Sequence, residues 1–270
     1  MDQLIIGGKY TLFFGLLIAL LRVLIGFLAG IFFAFSLGKK VQSWIEKLAD
    51  SIHFIPLTII AYVLLQPILY VPYNSEPNYT TPERIILEII ILTIFVIPLT
   101  TALIGNEMKS VLKNEFIMSA RTLGGSKPHI LWHHVLPHIG PRLAILLGQQ
   151  FIQVLLIFIH LGVFSFFFGG TIFDKPPRSV SNEWSGFIGA AKTSILDDGS
   201  YWLAIWPLMA FMLTIFAMQF IIKGIKDVQQ QKIGIITKLP KNKQIKKTEA
   251  DNNDQKYVPT PESFRRVGGD

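Results

Sequence analysis

The sequence predicts an all-α protein built as a polytopic transmembrane helical bundle. Of its 270 residues, 51% are hydrophobic and only 16% are charged, a balance typical of chains with several membrane spans. The basic residues behind the net charge of +7 lie between the apolar runs. Lys and Arg in these positions are typical of loops that flank membrane spans, and they do not form a basic surface for nucleic acid. The chain has no Cys, which excludes disulfides and thiolate sites.

Five apolar runs are long enough to cross a membrane. The first is interrupted only by Arg22, and prolines punctuate the second and third. We take the first as a retained span, because it is too long for a signal peptide. The five predicted spans are approximately 10–37, 52–71, 85–104, 139–168 and 201–222.

The distribution of Lys and Arg predicts how these spans are oriented. Basic residues concentrate in loops 39–50 and 105–138 and in the chain after residue 223, which should therefore be cytoplasmic. Loops 72–84 and 169–200 should be external. Five spans then place residues 1–9 outside as a short N-terminus and the C-terminus in the cytoplasm. The transmembrane domain would cover 10–226, and 227–270 has too little apolar content to fold, so a basic, disordered tail is expected.

The loop at 115–138 carries the most specific local pattern. Residues 115–123 are helix-compatible, and Gly124-Gly125 favours a helix end. Ser126 is a candidate cap for a second short helix, with Pro128 in its first turn, running to about residue 135. Pro137 is expected to separate this helix from the next span. The prediction is two short helices hinged at the glycine pair, protruding from the membrane surface.

The spacing of Met118-Ser119-Ala120, Gly124 and Leu136-Pro137 resembles the cytoplasmic loop of permease subunits in binding-protein-dependent ABC importers. Met118 stands where the family has Glu, and His134 stands where it has Ile. The ending from His133 to Pro137 is similar to that of the dipeptide, oligopeptide and nickel branch.

Further motifs extend the resemblance to nearly the whole chain. The segments similar to C-type peptide permeases are Pro176-Pro177, Glu183-Trp184-Ser185-Gly186, Trp202-Leu203-Ala204, Trp206-Pro207 and Lys223-Gly224-Ile225-Lys226-Asp227. Members of this branch usually have six spans, and this chain begins close to the family's second span.

The resemblance implies a type I ABC importer permease in a bacterial inner membrane, with di- or oligopeptides as solutes. It implies a second homologous permease subunit, two ATP-binding subunits and an extracytoplasmic solute-binding protein as partners, besides membrane lipid. ATP and magnesium would bind the ATPase subunits, so this chain would hold no cofactor and no catalytic residue. The implied ATPase-docking residues are Glu115, Met118, Ser119, Ala120, Arg121, Gly124, Lys127, His134, Leu136 and Pro137.

Two alternatives stay open at this point. The branch also includes permeases for nickel and other small solutes. A proton-coupled secondary transporter would instead need acidic residues deep in its spans, often with internal repeats. Only Glu88, near an external end, approaches that requirement.

Two further motifs carry no site. Gly124-Gly125-Ser126-Lys127 lacks the first Gly, the preceding strand and the Ser or Thr of a phosphate-binding loop, which argues against ATP binding here. The four His residues between 129 and 138 are accompanied by basic residues and by no carboxylate or thiolate, so we predict no metal site.

Polar residues inside the predicted spans are candidates for the translocation path. Gln149, Gln153 and His160 fall within about 40° of one another on a helix of 3.6 residues per turn. Such a stripe faces either a water-filled path or a partner helix. Arg22 has the same ambiguity, since it could line the path or pair with an acid of the companion subunit.

Overall fold

The computed structural model describes residues 2–70, 77–172, 177–197 and 202–232, and these residues form a bundle of helices. A π-helical turn, Leu131–Val135, joins two of the helices, and the only strands among the described residues are two short ones. In chain order the elements are α1 Asp2–Phe35, α2 Lys39–Phe54, α3 Leu57–Leu69, α4 Thr81–Ile94, α5 Ile97–Leu112, α6 Glu115–Thr122, α7 Lys127–Ile130, α8 Leu136–Val163, β1 Thr171–Ile172, β2 Arg178–Ser179, α9 Trp184–Asp197 and α10 Trp202–Lys232.

By length and composition, three helical segments could each cross a membrane alone: Gln3–Phe35, Lys127–Val163 and Ala204–Gln231. Two further spans are possible if each of two bent pairs crosses as one unit. The α2–α3 pair bends by 87° and the α4–α5 pair by 43°. The fold is thus the predicted all-α membrane bundle, with its second and third predicted spans broken near their prolines.

Two predicted boundaries differ from the structure. Residues 2–9 are the first turns of α1 rather than a separate N-terminal segment, and 227–232 are the last turns of α10 rather than tail. Hydropathy marks only the apolar length of a helix, whereas Lys and Gln are good helix formers that let it continue beyond that length. The remainder of the predicted tail, 233–270, lies outside the described residues.

The helices α1 and α5 approach closely because small residues line their contact. A Cβ added to Gly26 would lie 2.4 Å from Oγ1 of Thr100, and one added to Gly105 would lie 2.3 Å from the ring of Phe33. Small residues at crossings allow helix backbones to meet in a membrane, where packing and hydrogen bonds drive association.

The loops collect at two opposite ends. At one end, Trp184 donates its Nε1–H to the Leu4 carbonyl oxygen at 2.8 Å, which joins the start of α1 to the start of α9. At the other end, Lys127 Nζ lies 3.5 Å from the Phe35 carbonyl oxygen. The loops predicted to share one side of the membrane from their Lys and Arg content therefore lie at the same end of the bundle. Which end is cytoplasmic stays a prediction.

The 169–200 segment is more structured than a simple connection. Strands β1 and β2 pair antiparallel, with Thr171 opposite Ser179. The helix α9 then packs on α8 so closely that a Cβ on Gly189 would lie 2.6 Å from the Gly162 carbonyl oxygen. Pro176 of the predicted motif lies outside the described residues.

Candidate functional site

The helix α6 protrudes at the end of the bundle that contains α2. Its anchor is Ile117, which is fully buried against Met108 and Val111 of α5. On its other faces Met118 is 55% exposed, and Leu123, just beyond the helix, is 89% exposed. Exposed apolar side chains that lie close together commonly mark a surface that binds a partner protein. On α6 they are held in place by one buried apolar anchor.

The glycine pair closes α6 as the sequence predicts. Gly124 has a φ of +88°, the left-handed conformation that Gly adopts without a steric penalty. The N–H of Gly125 donates to the Ala120 carbonyl oxygen at 2.9 Å, and that of Gly124 donates to the Arg121 carbonyl oxygen at 3.0 Å. These two bonds make a Schellman motif. The glycine of the family signature is thus required by its backbone conformation. It is not required by packing, since a Cβ at this position would have no atom within 4 Å.

The second helix begins as predicted but does not end there. Ser126 Oγ accepts from the His129 N–H at 3.4 Å, and Pro128 occupies the first turn. The expected break at Pro137 is wrong, because α7, the π turn and α8 form one continuous helical segment, Lys127–Val163. The π turn ends just before Pro137, which lies in the first turn of α8, where its missing N–H is tolerated.

All ten predicted docking residues are reachable from outside the chain. Seven are exposed, and Ala120, His134 and Leu136 are half-buried. Lys127 contacts the last turn of α1, which ties the loop to that span. The rings of His129 and His133 stack at 4.3 Å between centroids, and among the described residues no group of His, Asp or Glu could hold a metal ion.

The buried Arg22 lies inside the bundle, where its guanidinium joins three helices. Its Nε and Nη2 donate to the Leu92 carbonyl oxygen on α4, at 2.8 and 2.5 Å. Its Nη1 donates to the side-chain oxygens of Gln150 and Gln153 on α8, at 3.3 and 3.2 Å. Arg22 is 1% exposed, so in this conformation it bonds within its own chain.

The predicted polar stripe is divided between two places. Gln153 and His160 line a cavity of about 260 Å³, where Thr58 Oγ1 of α3 lies 2.9 Å from His160 Nδ1. Gln149 lines a different cavity of about 100 Å³ beside Glu107 and Arg142. Gln153 is therefore shared between the two groups, since it bonds Arg22 and lines the same cavity as His160. Gln149 lies apart from them.

Buried ionisable groups at the opposite end were not among the predicted site residues. Arg84 and Glu88 of α4 are 4% and 1% exposed, and Glu88 Oε2 accepts from the Gly169 N–H at 3.0 Å. Glu183 is also buried and accepts from the N–H and hydroxyl of Ser185 at 2.6 and 2.7 Å. Glu183 lies directly before α9, but Glu is not among the residue types that commonly cap a helix, so the sequence carried no signal for this contact.

Burial sets the ionisation of Glu183, which lies in the segment before α9. Removal from water raises its pKa from the usual value near 4.5 to about 7, although the hydrogen bonds from Ser185 oppose that rise. The carboxyl group consequently titrates close to neutral pH.

The three long apolar helices and the two bent helix pairs are those of a multi-pass membrane protein. Residues 26–233 match the family described as "Binding-protein-dependent transport system inner membrane component". This match covers more than half of the chain, and the chain belongs to that family.

Individual relatives are distant. A Brucella abortus biovar 1 protein provisionally named a peptide permease is 24% identical over 226 residues, covering 82% of this chain and 66% of the relative. An Escherichia coli K12 protein provisionally named a D,D-dipeptide transport system permease is 22% identical over 233 residues, which cover 86% of this chain and 70% of that relative. The chain thus spans slightly less than two thirds of the first of these relatives.

Proposed function

We propose that this protein is a permease subunit of an ATP-driven ABC importer, and that α6 with its glycine turn docks a separate ATP-binding subunit. The proposal is supported by family membership and by the names of the relatives. The observation that carries the docking role is the exposed face of α6, held on a buried Ile117 and closed by Gly124.

The proposed mechanism is mechanical. Two ATP-binding subunits would move the docking loops, and ATP can drive transport only if it favours one conformation of the spans over another. A displacement at Lys127 would reach the spans because α7, the π turn and α8 are continuous. Ile117 would transmit a parallel displacement to α5. ATP and magnesium would bind the partner subunits, and no bond would be made or broken on this chain.

The remaining partners follow from the same proposal. A second homologous permease would complete the path, and an extracytoplasmic solute-binding protein would deliver solute to the end that holds 77–84 and α9. The protein would lie in a bacterial inner membrane with α2, α6 and the C-terminus in the cytoplasm.

We infer peptides as the solute class. Within the described chain, the cavity of about 260 Å³ is lined by apolar side chains together with the hydrogen-bonding side chains of Thr58, Gln153 and His160. Hydrogen-bond donors and acceptors suit the peptide backbone, which is shared by peptides of every side-chain composition. Nickel or another small solute is the competing outcome, and uptake assays with each solute in the assembled transporter separate them.

The docking role is tested by replacing glycine at two positions with open space around them. Gly124→Ala forces a residue with a side chain into the left-handed conformation, which costs about 1–2 kcal/mol of folding free energy. Gly140 in α8 has no positive φ, and a Cβ added there would have no atom within 4 Å. We expect Gly124→Ala to reduce co-purification of the ATP-binding subunit about tenfold and Gly140→Ala to leave it unchanged. Equal co-purification of both variants would exclude α6 as the docking helix.

A further inference from the structure

The helix α2 has an apolar face that stays exposed among the residues that the structure describes. Val41, Trp44 and Leu48 are 49%, 73% and 40% exposed. At 100° per residue they share an arc of about 60°, and Lys40 and Lys47 follow within about the next 60°. Lys40 and Lys47 are exposed, and Glu46 is the α2 side chain that makes an ion pair among the described residues.

The opposite face of α2 is fixed to the protein. Gln42 Nε2 donates to the Phe33 and Leu37 carbonyl oxygens, at 2.8 Å each, and Lys109 Nζ donates to Gln42 Oε1 at 2.9 Å. Ala49, which lies about 20° from Gln42 around the helix, is buried. These contacts hold the helix in one rotational position, so its apolar edge and its lysines point in fixed directions.

The 87° bend between α2 and α3 determines how α2 lies. If α3 runs along the membrane normal, α2 lies in the membrane plane. A helix in that position with an apolar edge bordered by Lys places the edge among the acyl chains and the ammonium groups at headgroup level. Trp favours the same depth, since its ring is apolar and its N–H is polar.

We propose that α2 is an interfacial helix that binds anionic phospholipid headgroups through Lys40 and Lys47, with Trp44 inserted beside them. The two lysines make no ion pair among the described residues, and their charge selects an anionic over a zwitterionic headgroup because an anionic surface attracts basic residues close to it. The partner is lipid rather than protein because the apolar edge and the lysines are adjacent on a helix bent by 87° from the span that follows it. This site is independent of the ATPase-docking role of α6.

Quenching of Trp44 fluorescence by brominated lipid tests this site. The full chain is reconstituted in nanodiscs that contain either brominated phosphatidylglycerol or brominated phosphatidylcholine at the same mole fraction. Subtracting the Trp44→Phe signal isolates Trp44 from the other four tryptophans of the chain. We expect the brominated phosphatidylglycerol to quench Trp44 about fivefold more effectively than the brominated phosphatidylcholine.

The double variant Lys40→Gln/Lys47→Gln should reduce this ratio to near one while Trp44 remains quenched. The matched control is Lys9→Gln/Lys192→Gln, which removes the same charge from two exposed positions outside α2 and should keep the wild-type ratio. Equal quenching by both lipids in the wild-type protein would overturn headgroup selection. Loss of quenching when the companion permease and ATP-binding subunits are added would show that a protein covers α2, and would overturn the proposal as well.

Discussion

Arg22 is a charged residue in the middle of a span, and its partners explain how it is tolerated there. At the break between α4 and α5, the Val96 N–H turns to the Thr93 carbonyl oxygen, which leaves the Leu92 carbonyl oxygen without its helical partner. Arg22 donates to that oxygen. A cation at the end of a helix also interacts favourably with the helix dipole.

Removing Arg22 should therefore destabilise the bundle. Arg22→Met leaves a carbonyl oxygen unsatisfied in an apolar interior, which costs about 1–3 kcal/mol and should lower the unfolding temperature measured in detergent. The control is Arg142→Gln, which breaks an exposed ion pair with Glu107 worth only about 0–1 kcal/mol. If Arg22→Met were as stable as the control, the prediction would be wrong. The free-energy cost of burying the Arg22 charge would then equal the stabilisation from its hydrogen bonds.

Glu183 gives the folded protein a pH dependence with a definite sign. Its folded pKa of about 7 exceeds the usual value near 4.5, so the folded state holds this proton more tightly than the unfolded state. The stability contributed by the proton is fully present below about pH 4.5 and is lost as pH rises through about 7.

We expect the unfolding temperature of the wild-type protein to fall between pH 5 and pH 8, and Glu183→Gln to show a smaller fall. The amide cannot ionise, so it removes this contribution to the pH dependence. Glu115→Gln, at an exposed position of α6, should retain the wild-type slope. An unchanged slope in Glu183→Gln would mean that Glu183 does not titrate in this range.

At the scale of elements, the sequence predicted the helices better than their connections. Gly124 and Ser126 were recognisable because each satisfies a local backbone requirement. The continuity of α7 with α8 was missed because a proline was read as a break. The π turn lies just before Pro137, and its Leu131 and Val135 are buried, which is a tertiary contact that the local sequence does not reveal.

The polar stripe on α8 shows the same limit. Helical periodicity placed Gln149, Gln153 and His160 on one side, but it could not tell which neighbouring helix faces each of them. Thr58, the partner of His160, lies 102 positions away in the sequence. Only the packing of α3 on α8 separates Gln149 from the other two.

The cavity between α3 and α8 makes a prediction at this scale. In the assembled transporter, His160→Leu should lower solute uptake about tenfold without reducing assembly, because it replaces a polar lining side chain by an apolar one of similar size. Gln149→Leu, whose side chain faces a different cavity, should take up solute normally. Failure of His160→Leu to assemble would indicate that His160 acts in packing instead.

For the whole molecule, the charge of the loops predicted which loops share an end, since short loops between spans must alternate. The buried groups at the other end were not predictable in the same way. Arg84 and Glu88 lie together on α4, far in sequence from Glu183, and the N–H that Glu88 binds belongs to Gly169, 81 positions away. A single sequence carries no local signal for such a contact.

In the proposed transporter, α6 meets an ATP-binding subunit on the cytoplasmic side. Because the chain contains no Cys, a single cysteine gives an unambiguous cross-linking position. Leu123→Cys is placed at the exposed end of α6, and Tyr79→Cys, 39% exposed in the wild-type residue, marks the opposite end.

The decisive measurement is cross-linking of these two variants in inverted membrane vesicles that hold the complete transporter. The docking role of α6 predicts that Leu123→Cys cross-links to the ATP-binding subunit, with a yield that changes when ATP is added, and that Tyr79→Cys does not. Cross-linking of Tyr79→Cys to that subunit, or of neither variant, would contradict it.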